Sequence, residues 1–163
     1  MWGTEFLLKP RCSYASKGIH KVSDKEKFDF YKAQMGSNFM AQYLVGDNEH
    51  EYTVGVFGLG DGTYSEMIQL KRKLSQEGAT AKAECIDDTE LREAVVKLCK
   101  AFKPIGPTNF QFRRHEERIY LLEVNPRISS STSIRTAFGY NEAEMSVMFY
   151  LHGQIICPKV KKG

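Results

Sequence analysis

No apolar run in this chain approaches the ~20 residues that a helix needs to cross a membrane, so no membrane partner is expected. The first residues, Met1-Trp2-Gly3-Thr4-Glu5, lack the basic stretch and apolar core of a signal peptide, and a soluble cytoplasmic protein is the expectation. The cysteines Cys12, Cys85, Cys99 and Cys157 include no C-x-x-C pair, which removes zinc-finger and thioredoxin-like readings and leaves reduced, buried thiols. The histidines are scattered, and His115-Glu116 lacks the second histidine of a zincin helix. There is no Walker A sequence. Gly58-Leu59-Gly60-Asp61-Gly62 lacks the third glycine of a dinucleotide loop and opens no helix. Basic and acidic residues nearly cancel, 23 against 20, so nothing marks a nucleic-acid partner. A local basic pocket for a small anion remains compatible with that balance.

What is present is an ordinary globular composition with 12% aromatics, which favours a sheet. Phe6-Leu7-Leu8 reads as a strand closed by Lys9-Pro10. Ser23 with Glu26 reads as a capping box for a helix that stops at Gly36. Strands follow at 38–45, at 51–58 and, after the turn signal Gly60-Asp61-Gly62, at 64–70. Asp87-Asp88-Thr89 opens a helix with Leu91, Val95, Leu98 and Phe102 at helical spacing, ended by Pro104. A hairpin over 109–113 and 119–125 and helices over 134–138 and 142–151 complete the order. The class is α+β, with helices on a mostly antiparallel sheet. Residues 158–163 read as a basic, solvated tail.

The hairpin carries the most chemistry. Side chains alternate along a strand, so Asn109, Gln111 and Arg113 share one face while Phe110 and Phe112 share the other. Glu123 and Asn125 likewise share a face, away from Leu122 and Val124. A turn through Glu116-Glu117-Arg118 sets His115 opposite Ile119, Gln111 opposite Glu123 and Asn109 opposite Asn125. That register collects a carboxylate and amide oxygens, a donor set suited to Mg²⁺, with Arg127 beyond the strand as a cation for phosphate. From spacing alone, a half-exposed hairpin with a solvated polar face suits the pattern equally well.

Glu123-Val124-Asn125-Pro126-Arg127 resembles the E-x-N-P-R segment of ATP-grasp domains, and Asn109-Phe110-Gln111-Phe112 resembles the strand before it in carbamoyl phosphate synthase. The resemblance covers about 6–153 and implies an ATP-grasp fold. It implies a partial N-terminal lobe over 1–45, a C-terminal lobe over 46–155 and the tail at 156–163. It implies Gln111, Glu123 and Asn125 as metal ligands and Arg127 as a phosphate contact. Lys9, on a strand like the one that presents a phosphate-binding cation, and Lys17, in a glycine-poor lid loop over 12–18, would contact phosphate; solvated surface lysines are the alternative. Gln42, Tyr43 and Leu44 fall where adenine is held, and Glu51 where ribose hydroxyls are accepted. Lys71, in the run Lys71-Arg72-Lys73, falls near the phosphates or the acyl substrate, with a solvated basic run as the alternative. Ser130 stands where the synthase has an arginine beside its carbonate or carbamate, which points to another carboxylate, with Arg135 as a replacement contact.

The function so implied is an ATP- and Mg²⁺-dependent carboxylate–amine or carboxylate–ammonia ligase acting through an acyl phosphate. Mn²⁺ is the alternative metal, and Lys9 and Arg127 are the catalytic cations. The rival reading is a catalytically incomplete nucleotide-binding module or scaffold, because the first strands of the N-terminal lobe are missing from this sequence. A partial lobe leaves strand edges unpaired, so a homodimer formed by exchange of the N-terminal strand is expected.

Overall fold

The structure is a computed structural model that describes residues 5–13, 17–47, 49–75 and 80–161. Among these residues the chain divides between Val45 and Gly46 into two compact units.

The first unit holds β1 (Phe6–Pro10), β2 (His20–Val22), α1 (Lys25–Met35) and β3 (Phe39–Tyr43). Its antiparallel sheet has the order β2-β1-β3. The ring of Phe28, on α1, lies against those of Phe6 and Phe39, with centroids 6.1 and 6.4 Å apart. The N-cap of α1 is Asp24 rather than Ser23. The Asp24 carboxylate accepts the Lys27 N–H at 2.8 Å, while the Ser23 hydroxyl donates to Asp24. A carboxylate is the stronger acceptor at a helix N-terminus, and its charge suits the dipole. Gly36 ends the helix with φ +57° and donates its N–H to the Lys32 carbonyl.

The second unit holds β4 (Glu51–Leu59), β5 (Tyr64–Leu74), β6 (Thr80–Ile86), α2 (Thr89–Phe102), β7 (Ile105–His115), β8 (Arg118–Asn125), α3 (Thr132–Ala137) and α4 (Glu142–His152). Its five strands run β6-β5-β4-β7-β8, antiparallel at every pair. Both faces are covered, so β4, in the middle, is buried from Glu51 to Gly58. On one face Tyr52, Val54, Val56, Phe110 and Phe112 pack under Leu91, Val95 and Cys99 of α2. Asp88 caps that helix. On the other face Phe57, Ile68, Leu70 and Cys85 pack with Tyr140 and Met145. Each large side chain buried this way stabilises by ~1.5–3 kcal/mol.

Three features depart from expectation. The strand β6 and the short β2 were not read from the sequence, and β5 runs on through Lys71-Arg72-Lys73. Residues 156–161 are not a fully solvated tail: Ile156 and Val160 pack on the second core, and the Lys161 N–H donates to the Phe138 carbonyl at 2.8 Å. The third departure is at the hairpin tip. Glu116 and Glu117 form a two-residue turn with φ +47° and +59°, the backbone of a type I′ turn, which sets His115 opposite Arg118 rather than Ile119. An extra residue, Leu122, then shifts the pairing, so that Gln111 faces Glu123 and Asn109 faces Asn125 as expected. No helix among the described residues is long and apolar enough to cross a membrane.

Candidate functional site

The polar cluster occupies the part of the second sheet's α3/α4 face that those helices leave to polar side chains. Register decides its membership. Glu51 pairs with Arg72 and with Arg113. Thr53 pairs with Gln111, which pairs with Glu123, and Gly55 pairs with Asn109, which pairs with Asn125. Three adjacent rows therefore turn their side chains to one side.

In the first row, Glu51 is 3% exposed and is clamped by two guanidinium groups. Arg72 pairs with its Oε1, and Arg113 Nη2 donates to its Oε2 at 2.9 Å. Arg72 Nη2 also donates to Gln111 Oε1 at 2.8 Å. Both oxygens of this buried carboxylate, expected to accept from ribose hydroxyls, are thus engaged by guanidinium groups. Lys71 is the residue expected near the phosphates or the acyl substrate. It pairs with Tyr52 and Glu84, so strand alternation turns it to the opposite face of the sheet, and Arg72 is the member of the basic run that reaches the cluster. Lys71, Lys73, Lys82 and Glu84, together with Arg72, line an open pocket of about 400 Å³ at this end of β5 and β6.

In the remaining rows, Glu123 is exposed on the outer strand β8. Asn125 is half-buried, and its Nδ2 has no hydrogen-bond partner among the described residues. No group of three or more His, Cys, Asp or Glu converges among the described residues. The donor set here is thus one carboxylate with amide oxygens, hard ligands that suit Mg²⁺ with water completing its shell. The residues fit such an ion: Glu123 and Asn125 are two apart on one strand, and the Asn125 amide is not fully consumed by the fold. Arg127 is exposed, and among the described residues its guanidinium donates to the Ile128 carbonyl alone, at 3.0 Å.

Arg135 is not a solvent-facing contact. It is 0% exposed, and Nη1 donates to the equally buried Glu142 at 2.7 Å. Nη2 donates to Thr53 Oγ1 at 3.0 Å and to Asn109 Oδ1. Burial pulls its pKa below the ordinary value of an arginine, against the opposing pull of the Glu142 carboxylate. Gly55 makes room for it: a Cβ there would stand 2.8 Å from the guanidinium carbon.

In the first unit, Lys9 Nζ donates to Gln42 Oε1 at 3.0 Å, so two of the residues expected at nucleotide meet across β1 and β3. Tyr43 is 64% exposed at the end of β3, and Leu44 follows it half-buried. The Lys17 carbonyl accepts from Ser13 Oγ at 2.6 Å. Part of the expected lid, 14–16, lies outside the described residues. Arg72, Arg113 and the Arg135–Glu142 pair were not assigned these roles from sequence. Strand parity on β5 could have found Arg72, but nothing in the sequence marks an arginine in a loop-to-helix segment as buried.

The family described as ATP-grasp in the biosynthetic pathway with Ter operon matches residues 38–163. The carbamoyl phosphate synthase large chain of Thermotoga sp. (strain RQ2) is 24% identical over 139 residues, 78% of this chain and 13% of that one. The same protein of Methanothermobacter thermautotrophicus is 38% identical over 63 residues, 37% of this chain and 6% of that one. This chain therefore spans a small fraction of those relatives' length. Among solved structures, biotin carboxylase from Campylobacter jejuni superposes with TM-score 0.76 at 15% identity, over 97% of this chain and 40% of that one. N5-carboxyaminoimidazole synthetase from Staphylococcus aureus, complexed with ADP, gives TM-score 0.75 at 16% identity, over 97% and 44%. The fold is that of these enzymes, and by its sequence match the chain belongs to the ATP-grasp family described as acting in the biosynthetic pathway with the Ter operon.

Proposed function

We propose that this chain supplies the Mg-ATP-binding surface of a carboxylate–amine or carboxylate–ammonia ligase that activates its carboxylate as an acyl phosphate. The observation that carries the reading is the register of β7 and β8, which gathers Gln111, Glu123 and Asn125 on one face with Arg127 just beyond the strand. Glu123 and Asn125 would hold the metal, with Gln111 joining them by giving up its bond from Arg72. A bound Mg²⁺ supplies positive charge to the phosphate oxygens. Arg127 and Lys9 neutralise charge as the γ-phosphoryl group passes to the carboxylate, and Lys17 supports them from the lid segment. Gln42, with the backbone at Tyr43 and Leu44, is suited to the adenine edge, since an amide can both donate and accept. The residues contribute positioning and electrostatics, and phosphoryl transfer needs no protein nucleophile. The amine or ammonia then displaces phosphate from the acyl phosphate.

Calorimetric titration of ATP into the chain, with and without Mg²⁺, tests this. Metal-dependent binding that disappears in Glu123→Ala is the expected result. Binding that is indifferent to Mg²⁺, or to Glu123→Ala, removes Glu123 from the metal site. Absence of binding altogether favours a scaffold.

A further inference from the structure

The Arg135–Glu142 pair is buried to the last atom, yet it is built into the edge of the polar cluster rather than into an apolar core. Such a pair is a poor source of stability. Its desolvation cancels much of its Coulombic gain, and apolar residues of the same volume often serve the fold equally well. Its connections are unusual, however. Through Nη2, Arg135 donates to Asn109 Oδ1, which also accepts from Thr53 Oγ1. Two donors on one oxygen fix which end of the Asn109 amide is the acceptor. Asn109 is the direct cross-strand neighbour of Asn125. Through Oε2, Glu142 accepts the Ser129 N–H at 3.4 Å, and Ser129 Oγ accepts the Ser131 N–H at 3.1 Å. Ser129 lies two residues beyond Arg127, in the segment that joins β8 to α3.

We propose that Arg135 and Glu142 are positioning residues, which set the amide pair Asn109/Asn125 with one arm and the Arg127 segment with the other. Neither touches nucleotide or metal. They act through neighbours: Arg135 fixes Asn109, opposite Asn125 on the outer strand, and Glu142 holds the backbone at Ser129, two residues beyond Arg127. Gly55 belongs to the same device, because any larger residue there would displace the guanidinium. The inference rests on the reading of Asn125 and Arg127 given above, and its test separates the two.

The test is the double variant Arg135→Met/Glu142→Leu, which removes both charges and keeps most of the volume. Its thermal stability should stay close to that of the native chain or rise, whereas Glu142→Leu alone should be strongly destabilised by its unpaired guanidinium. In ¹⁵N spectra the side-chain amides of Asn109 and Asn125 should be dispersed in the native chain and averaged toward solvent values in the double variant. Mg-ATP affinity should fall by about tenfold or more, the usual loss when an outer partner of a metal ligand is removed. A folded double variant with native amide signals and native affinity overturns the proposal. If the native chain binds no Mg-ATP, the proposed function fails while the amide signals still decide the positioning role. Should the double variant not fold, Arg135→Lys keeps the charge opposite Glu142 but loses the fork; native Asn109 signals in that variant would equally overturn it.

Discussion

Alanine at Gly55 is the sharpest probe of how tightly the buried guanidinium is held. In an ordinary extended strand this substitution should help, because it removes backbone freedom from the unfolded chain and gains about 0.5–1 kcal/mol. Here the new Cβ would stand 2.8 Å from Arg135 Cζ and 3.2 Å from Ile68 Cγ2. An exposed arginine would swing away at little cost. This one is 0% exposed and is bonded to Glu142, Thr53 and Asn109, so retreat breaks those bonds and leaves a buried carboxylate short of its counter-ion. Breaking a buried pair costs about 3–5 kcal/mol, and the backbone gain offsets only part of it, so a net loss of about 2–4 kcal/mol is expected. With a urea slope of about 2 kcal/mol/M, the unfolding midpoint should drop by about 1–2 M. Far-UV circular dichroism in urea measures this, and the slope should not change. In the Arg135→Met/Glu142→Leu background, the same Gly55→Ala change should be close to neutral. A neutral or stabilising Gly55→Ala in the native chain, or an equal loss in both backgrounds, would refute the reasoning.

Other outcomes follow from the same geometry. Glu51→Gln leaves Arg72 and Arg113 facing each other without their carboxylate. It should cost about 3 kcal/mol, and phosphate should raise the melting temperature of the variant more than that of the native chain; equal shifts would show that the two guanidinium groups are not left as an anion site. Asp88→Ala removes the α2 cap and should cost about 1 kcal/mol at pH 7 in urea unfolding. Burial works to raise the Asp88 carboxyl, but the Leu91 N–H and the Arg114 guanidinium outweigh it and hold the pKa below its ordinary 3.8. Its contribution is therefore complete above that ordinary value and is lost as pH falls through the lower folded value, so the gap between variant and native chain should narrow in acid. A gap that stays constant down to pH about 2 would contradict that assignment.

The sequence made the two ends of the hairpin unequally legible. At the site end, the alternation of Asn109, Phe110, Gln111 and Phe112 against Glu123, Val124 and Asn125 admits one arrangement that buries the apolar set, and the structure has it. At the tip, the left-handed pair Glu116 and Glu117 makes a two-residue turn that sets Ile119 opposite Arg114 and packs it on the first core, a single apolar cue that the expected three-residue turn overrode. A lack of apolar signal hid β6, an outer strand in which only Cys85 is buried. It also made Lys71-Arg72-Lys73 look like the run after a strand, when it is the end of β5 with its middle residue turned inward. The helices were readable where a stripe existed, as in α2. Arg135 was not, because burial of a charge depends on a partner, and Glu142 lies across a turn at the start of another helix.

The additional residue at Leu122 has a meaning for how such a hairpin can diverge. A strand reads like a two-letter alphabet, in and out, and a one-residue change in a turn normally swaps every letter beyond it. Here the inversion imposed by the tip is cancelled before Glu123. The tip of β7 and β8 and the ligand-bearing base therefore keep separate phase. Insertions and deletions can accumulate at the solvent end, and the bulge can appear or vanish to match, while the oxygen donors continue to face the same way.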